Sequence, residues 1–360
     1  MVADPTGLQS HLRAARAQTL RVTQDLDGER LLGPRLAIVN PPLWELGHVA
    51  WFQERWCLRR RPAGGLEESI LPAADALYDS SAVAHATRWG LPLPALPATR
   101  GYLAGVLEQV CERIVREPEN AALAYYARLA AFHEDMHAEA FHYTHQTLGY
   151  PDPCPGAAMP AAGPRGDAEH AGGRFAMGSR PDAEFIFDNE KWAHEVEVAP
   201  FRMARGLVSN AQFLAYVEAG GAPPRYWKRQ DGAWLQRRFD RWLPLGPEEP
   251  VRHVSALEGE AYCRWARRRL PTEAEWEFAA SRGQLQAGGV WEWTSSAFLP
   301  YPGFTTDPYE DYSQPWFGTH RVLRGGSFAT PARLIRATFR NFYTPERGDV
   351  YCGLRTCALD

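Results

Sequence analysis

Nowhere in its 360 residues does the sequence run to about 18 apolar positions in a row, the least a helix needs to cross a bilayer. The first eighteen residues, MVADPTGLQSHLRAARAQ, lack the apolar run of a secretory signal. Cysteine is scarce and scattered: six residues, at 57, 111, 154, 263, 352 and 357, with no CxxC pair. That pattern excludes a disulfide framework and points to a reducing, cytoplasmic setting. An excess of positive charge is missing too. A net charge of −4 offers nothing to nucleic acid or to an anionic membrane. What is present, 45% hydrophobic and 23% charged residues, belongs to a globular chain long enough for two cores. Thirteen tryptophans are available to fill them.

Residues 6–28, 43–60, 100–117 and 120–148 carry apolar positions at spacings of three and four, which predicts four helices and an antiparallel bundle. Asn40-Pro41-Pro42 reads as the start of the second helix. Glu117-Pro118 and Gly149-Tyr150-Pro151 read as the ends of the third and fourth. The stretch YPDPCPGAAMPAAGPRGDAEHAGG then drops nearly all apolar bulk and reads as a linker. Beyond it come short apolar runs and many turns, with helices expected only near 209–219 and 255–269. The expected fold class is therefore α plus α+β. A helical domain spans 1–150, a linker 151–172, and an irregular α+β domain 173–360.

The segment FHEDMHAEAFHYTH, residues 132–145, holds four histidines. At about 100° per residue, His133 and His137 lie about 40° apart on one helical face, whereas His142 and His145 turn about 180° and 120° from His133. Glu134, Asp135 and Glu139 face elsewhere. The stretch therefore offers two convergent imidazoles and no carboxylate beside them. A third ligand must come from another helix, with His11, His48 and His85 as the choices. His48 shares a face with Trp44, Trp51 and Phe52 in PPLWELGHVAWFQERW, and an imidazole on a face that must be buried needs a partner. His133-Glu134-x-x-His137 also matches the short HExxH motif of zinc hydrolases.

Two sets of motifs carry a family resemblance. NPPLWELGHVAWFQERW with HEDMHAEAFHYTHQTLGY resembles the DinB-like helical domain of ergothioneine-type sulfoxide synthases. GGRFAMGS, FDNEKWAHEVEVAPF, RRLPTEAEWEFAA, VWEWTSSAF and VLRGGSFATPARLIRATFRNF resemble the formylglycine-generating-enzyme-type domain, a C-type-lectin-like fold. Formylglycine generation itself needs cysteines after the GGS motif, and FATPARLIRATFRNF has none. The connection from EFAAS to VWEWT, residues 281–289, is shorter than is usual in such domains.

The resemblance implies one non-heme Fe(II) held by His48, His133 and His137, with hercynine, O2 and a sulfur or selenium donor as substrates. It implies a pocket where the second domain meets the bundle. Tyr312 and Phe342 would lie against the trimethylammonium, Asn341 would donate to the carboxylate, and Met136 stands where relatives often have a Gln. Tyr309 matches the proton-donating tyrosine, with Tyr301 as the weaker candidate. A phenol with a pKa near about 10 is protonated at neutral pH and can serve as an acid. At the donor end, Tyr343 replaces an Asp of relatives that take γ-glutamylcysteine, while Arg347 and Arg88 are candidate carboxylate clamps. That pattern leans towards a selenosugar, as in the selenoneine synthase branch, over cysteine or γ-glutamylcysteine. A lectin-like binding module with a structural metal is the alternative of a different class, and a zinc hydrolase is a third.

Overall fold

Proline opens three of the bundle helices, where its fixed φ suits the first turn and its missing N–H loses no bond. In a computed structural model that describes residues 4–61, 64–156 and 159–359, α1 spans Pro5–Val22, α2 Pro42–Cys57, α3 Ala74–Tyr78, α4 Leu96–Arg116 and α5 Ala121–Leu148. The side chain of Asn120 caps α5 by accepting from Leu123 N–H at 2.9 Å, and Gly149, at φ 68°, ends it. α1 stops six residues short of the expected 28. The Thr23 hydroxyl bonds the Thr19 carbonyl at 2.8 Å, and the chain turns away through Gly28 at φ 49°. α4 begins at Leu96 instead of 100, with Pro97 in its first turn. Asn40 does not cap α2: Pro41 takes that position, and the Asn40 side chain accepts from Arg88 at 2.7 Å.

α1 packs on α5, and α2 packs on α4 and α5. Leu12, Leu46, Ala50, Val106, Val110, Ala127 and Phe141 are fully buried between them. Nearly every residue of α2 is buried, including Glu45, His48, Gln53 and Glu54. A polar side chain so placed needs a partner, and each of these four has at least one. Gln53 accepts from Arg16 at 2.8 Å, and Glu54 accepts from Tyr102 at 2.5 Å and from Ile70 N–H at 2.7 Å. The partners of Glu45 and His48 define the site described below.

The chain divides into two compact units, the second beginning at Gly156. Three helices of this unit each start with a reciprocal Ser/Thr–Glu/Gln capping box. These are α6, Asn210–Glu218 after Ser209, α7, Ala256–Ala266 after Ser255, and α8, Glu273–Ala280 after Thr272. α8 adds a helix to the two expected. One four-stranded sheet runs in the order Asp167–His170, Phe201–Ala204, Cys357–Ala358, Arg268–Arg269, all neighbours antiparallel. A second runs Asn341–Tyr343, Arg321–Gly325, Trp291–Ala297, Cys352–Gly353, with the last pair parallel. The first strand lies inside the expected linker. Ala162 N–H also bonds the Glu248 carbonyl at 2.8 Å, so the later part of that stretch belongs to the second unit. Linker positions 157 and 158 lie outside the described residues. All six cysteines are free thiols.

Candidate metal centre

The site is built on α2 and α5, whose regular geometry fixes where their imidazoles point. His48, His133 and His137 each offer a ring nitrogen, and these atoms all lie within 4.8 Å of one another. Nε2 of His133 is 3.3 Å from Nε2 of His48 and 3.2 Å from Nε2 of His137. Two nitrogens each about 2.1 Å from a shared ion would stand about 3.0 Å apart at a right angle and about 3.4 Å apart at a tetrahedral angle, so the observed spacing fits a common metal.

The tautomers support the same fit. Nδ1 of His48 lies 2.8 Å from the Tyr78 carbonyl, which can only accept, so the proton sits on Nδ1 and Nε2 keeps its lone pair. Nδ1 of His137 lies 2.6 Å from Glu45 Oε1 and donates to it, which likewise leaves Nε2 bare. A single Nε2 proton on His133 could satisfy only one of these two lone pairs; one cation satisfies all three nitrogens. Burial, with His137 close by, drives both His48 and His133 well below the usual imidazole pKa, so both rings are neutral ligands. No fourth His, Cys, Asp or Glu joins the cluster among the described residues. Three neutral donors leave coordination positions open for small molecules.

The other histidines go elsewhere. Nε2 of His11 is 3.4 Å from Asp135, Nε2 of His85 is 2.8 Å from the Val39 carbonyl, and Nδ1 of His145 is 3.1 Å from the Pro151 carbonyl. Glu134 of the HExxH match points away from the cluster into a buried pair with Arg16, at 2.7 Å and 3.2 Å. A zinc hydrolase needs that carboxylate beside the metal-bound water, so this geometry removes the hydrolase reading. Sequence reasoning missed Glu45 and the Tyr78 carbonyl, and it placed Phe52 on the His48 face without its stacking on His133 at 3.6 Å and 5°. Glu45 left a signal: an acid three residues before a histidine in the otherwise apolar stretch 42–52. The Tyr78 carbonyl left none, since it lies at the end of the five-residue α3, too short for a clear period.

Met136 is half-buried beside His137 on α5. Arg88 is buried and committed. It donates to Asn40 and to the Ser80 and Val83 carbonyls, and lies 3.9 Å from the Trp44 ring centroid. In the second unit, Tyr312 stacks on Phe187 at 4.5 Å and meets Phe342 edge-on at 5.9 Å. Burial, with Glu190 and Asp188 nearby, drives the Tyr312 phenol well above its ordinary value. Phe342 stacks on Phe298 at 4.1 Å. Asn341 Oδ1 accepts from Phe342 N–H at 2.9 Å, which leaves its Nδ2 as a donor. Tyr309 is half-buried, 6.0 Å from the Tyr312 ring. Tyr301, by contrast, is buried and accepts from Arg324 at 3.0 Å. Arg347 lies over Tyr343 and is bonded to Asp349 through Nε and Nη2, the latter at 3.0 Å.

The DinB superfamily profile matches residues 11–141, and that of the sulfatase-modifying factor enzyme 1-like domain matches 169–288 and 286–359. The hercynine oxygenase of Mycolicibacterium thermoresistibile is 33% identical over 97% of this chain and 94% of its own length. That of Mycobacterium tuberculosis is 31% identical over 98% of this chain and 99% of its own. The formylglycine-generating enzyme of Streptomyces coelicolor is 30% identical over 58% of this chain and 95% of its own. The first alignment runs to 425 positions, so that relative carries segments this 360-residue chain lacks. The second domain's match breaks at 286–288, inside the connection that the sequence marks as short.

Proposed function

This chain belongs to the hercynine oxygenase family, and we propose that it is an Fe(II)- and O2-dependent enzyme forming a carbon–selenium or carbon–sulfur bond at the imidazole carbon of hercynine. The observation that carries this reading is the convergence of the Nε2 atoms of His48, His133 and His137, two of them held bare by Nδ1 partners, with no fourth His, Cys, Asp or Glu in the cluster among the described residues. Held there, a ferrous ion would supply O2 activation and, with its charge not offset by anionic ligands, attraction for a thiolate or selenolate.

The chain's own groups have separate tasks. Glu45 and the Tyr78 carbonyl hold the His137 and His48 rings in the ligating tautomer. Tyr312 and Phe342 offer aromatic faces to the quaternary ammonium of hercynine, which has no hydrogen to donate. Asn341 Nδ2 donates to the substrate carboxylate. Tyr309 is assigned as the proton donor over Tyr301, whose phenol is locked beneath Arg324. At the donor end, both candidate clamps are already engaged, Arg347 by Asp349 and Arg88 by Asn40 and two carbonyls. That supports a donor without a carboxylate to clamp, and so a selenosugar over cysteine or γ-glutamylcysteine.

The test is O2 uptake with iron, hercynine and donor supplied together and singly. Uptake is expected only with all three, and His137→Ala is expected to lose both bound iron and turnover; turnover retained in that variant would remove the ligand assignment. Competing a 1-seleno sugar against γ-glutamylcysteine at fixed hercynine decides the donor. Equal rates, or faster turnover of the thiol, would defeat the selenosugar while leaving the hercynine reaction standing.

A further inference from the structure

His48 lies between two indoles of its own helix. Trp44, one turn earlier, stacks on it at 5.0 Å and 10°, and Trp51, three residues later, at 5.6 Å and 28°. The two differ in what holds the indole N–H. Trp44 Nε1 donates to the Leu77 carbonyl at 2.6 Å, a partner without charge. On its face lies the Arg88 guanidinium, whose hydrogen-bond partners are all neutral. A cation there opposes removal of an electron from the ring. Trp51 Nε1 instead donates to the Asp75 carboxylate at 2.6 Å. Asp75 is gripped by both Arg59 terminal nitrogens at 2.8 Å and 2.7 Å, which with the Trp51 bond holds its carboxyl down at about 2 and keeps it anionic. Arg55 lies 5.2 Å from the Trp51 ring centroid, but Asp79 at 3.6 Å and Asp75 at 3.9 Å balance its charge. Trp51 is 4% exposed, whereas the Asp75 side chain is 48% exposed. Of the two indoles against the ligand ring, only Trp51 has an anion on its N–H and a connection to solvent.

We propose that Trp51 is an electron donor that quenches misdirected oxidation at the His48/His133/His137 centre, a role that rests on the metal-centre reading above. Were a ferrous ion held there to reduce O2 without hercynine in place, the Trp51 indole would pass one electron through the stacked His48 ring to the resulting oxidant, and a proton from solvent would follow it onto the reduced oxygen. The indole is left one electron short, as a cation whose N–H stays bonded to the Asp75 carboxylate. A thiol from the surrounding reducing pool returns the electron and gives its proton to solvent. Two thiyl radicals so formed combine as a disulfide. The oxidising equivalent thus leaves as a disulfide in solution instead of as a modified ligand.

Trp51→Phe keeps an aromatic ring in the stack but makes it much harder to oxidise. Trp44→Phe is the control, and Asp75→Asn keeps the indole while removing the anion. Each protein is loaded with ferrous iron and exposed to O2 and thiol without hercynine. The readouts are freeze-quench electron paramagnetic resonance, peptide mass spectrometry and retained iron. An indole radical is expected in the native protein and in Trp44→Phe, at lower yield in Asp75→Asn, and not in Trp51→Phe. In Trp51→Phe, oxidised residues should appear on the peptides holding His133 and His137, with iron lost severalfold faster, while the initial coupled rate with hercynine stays near native. An indole radical that persists in Trp51→Phe, an undiminished yield in Asp75→Asn, or identical damage maps in all the proteins would overturn the proposal. A native protein that takes up no iron would overturn the metal-centre reading itself, a failure that metal analysis separates from the others.

Discussion

The two units bury charge for different ends. In the bundle, α2 carries Glu45, His48, Gln53 and Glu54 into an apolar interior, and each side chain is held by specific partners. Regular helices already satisfy their own backbone, so a buried polar group such as Glu45 is left to aim an imidazole. In the second unit, Arg324, Arg340 and Arg355 are at most 1% exposed, and each joins a carboxylate to carbonyls of irregular segments. Arg324 bonds Glu277 at 2.9 Å and Glu273 at 3.1 Å together with the Ala337 and Phe339 carbonyls. Arg340 bonds Glu273 and the carbonyls of Asn189 and Leu299. Arg355 bonds Glu292 and the carbonyls of Ala204 and Gln286, and so pins the shortened connection. A guanidinium brings five donors in a rigid fork, and loops with unpaired carbonyls need donors. Where secondary structure is thin, ion-paired arginines do the work that helical hydrogen bonds do in the bundle.

Removing one such arginine is the hardest blow to that contrast. Arg324→Met leaves Glu277 and two carbonyls buried without their donor, and breaking a buried pair from one side costs about 3–5 kcal/mol. Urea unfolding should show that loss in the second unit's transition, with the bundle's affinity for ferrous iron unchanged. A loss below about 1 kcal/mol, the scale of an exposed pair, would erase the distinction.

Glu45→Gln tests the bundle's side. The amide can no longer hold the His137 tautomer as an anion does, and loss of an outer-sphere partner of this kind lowers metal affinity about 10–100-fold. Chelator competition measures the affinity, and far-UV circular dichroism should stay native. Unchanged affinity would show that α2 does not aim the ring.

The smallest effect is read from pH. Burial lowers His142 from 6.5 to about 3, so as pH falls below 6.5 the unfolded chain binds a proton that the folded one refuses. Stability should therefore decline from pH 6.5 towards pH 3, with this group contributing up to about 1.4 kcal/mol per pH unit. His142→Leu should flatten the slope of urea stability between pH 6.5 and 5 by about one proton's worth. An unaltered slope would place the coupling in other buried imidazoles.

Much of the first unit could be read before any coordinates. The spacing of His133 and His137 singles out that pair among eleven histidines, because a helix puts residues four apart on one face whatever surrounds it. The apolar face around His48 favoured it over His11 and His85, and only the resemblance named it as the third ligand. Helix ends were less accessible. Thr23 and Pro97 moved two of them, through a side-chain bond and a proline start that compete with periodicity. α8 was overlooked although Thr272-x-x-Glu275 is a capping signature, since its eight residues are too few for a clear period. The expected linker was too long because Asp167–His170 has little apolar character and becomes a strand only by pairing with Phe201–Ala204.

Residues 43–57 and 121–148 settle on their own that the chain presents histidines at helical spacing to a buried face, for 3.6-residue periodicity needs no distant partner. Which way Glu134 turns, which carbonyl holds His48, and that Arg88 is bound by Asn40 were settled only when separate segments met. Hydrogen bonds between side chains remote in sequence depend on the packing of whole elements, and no local pattern records them.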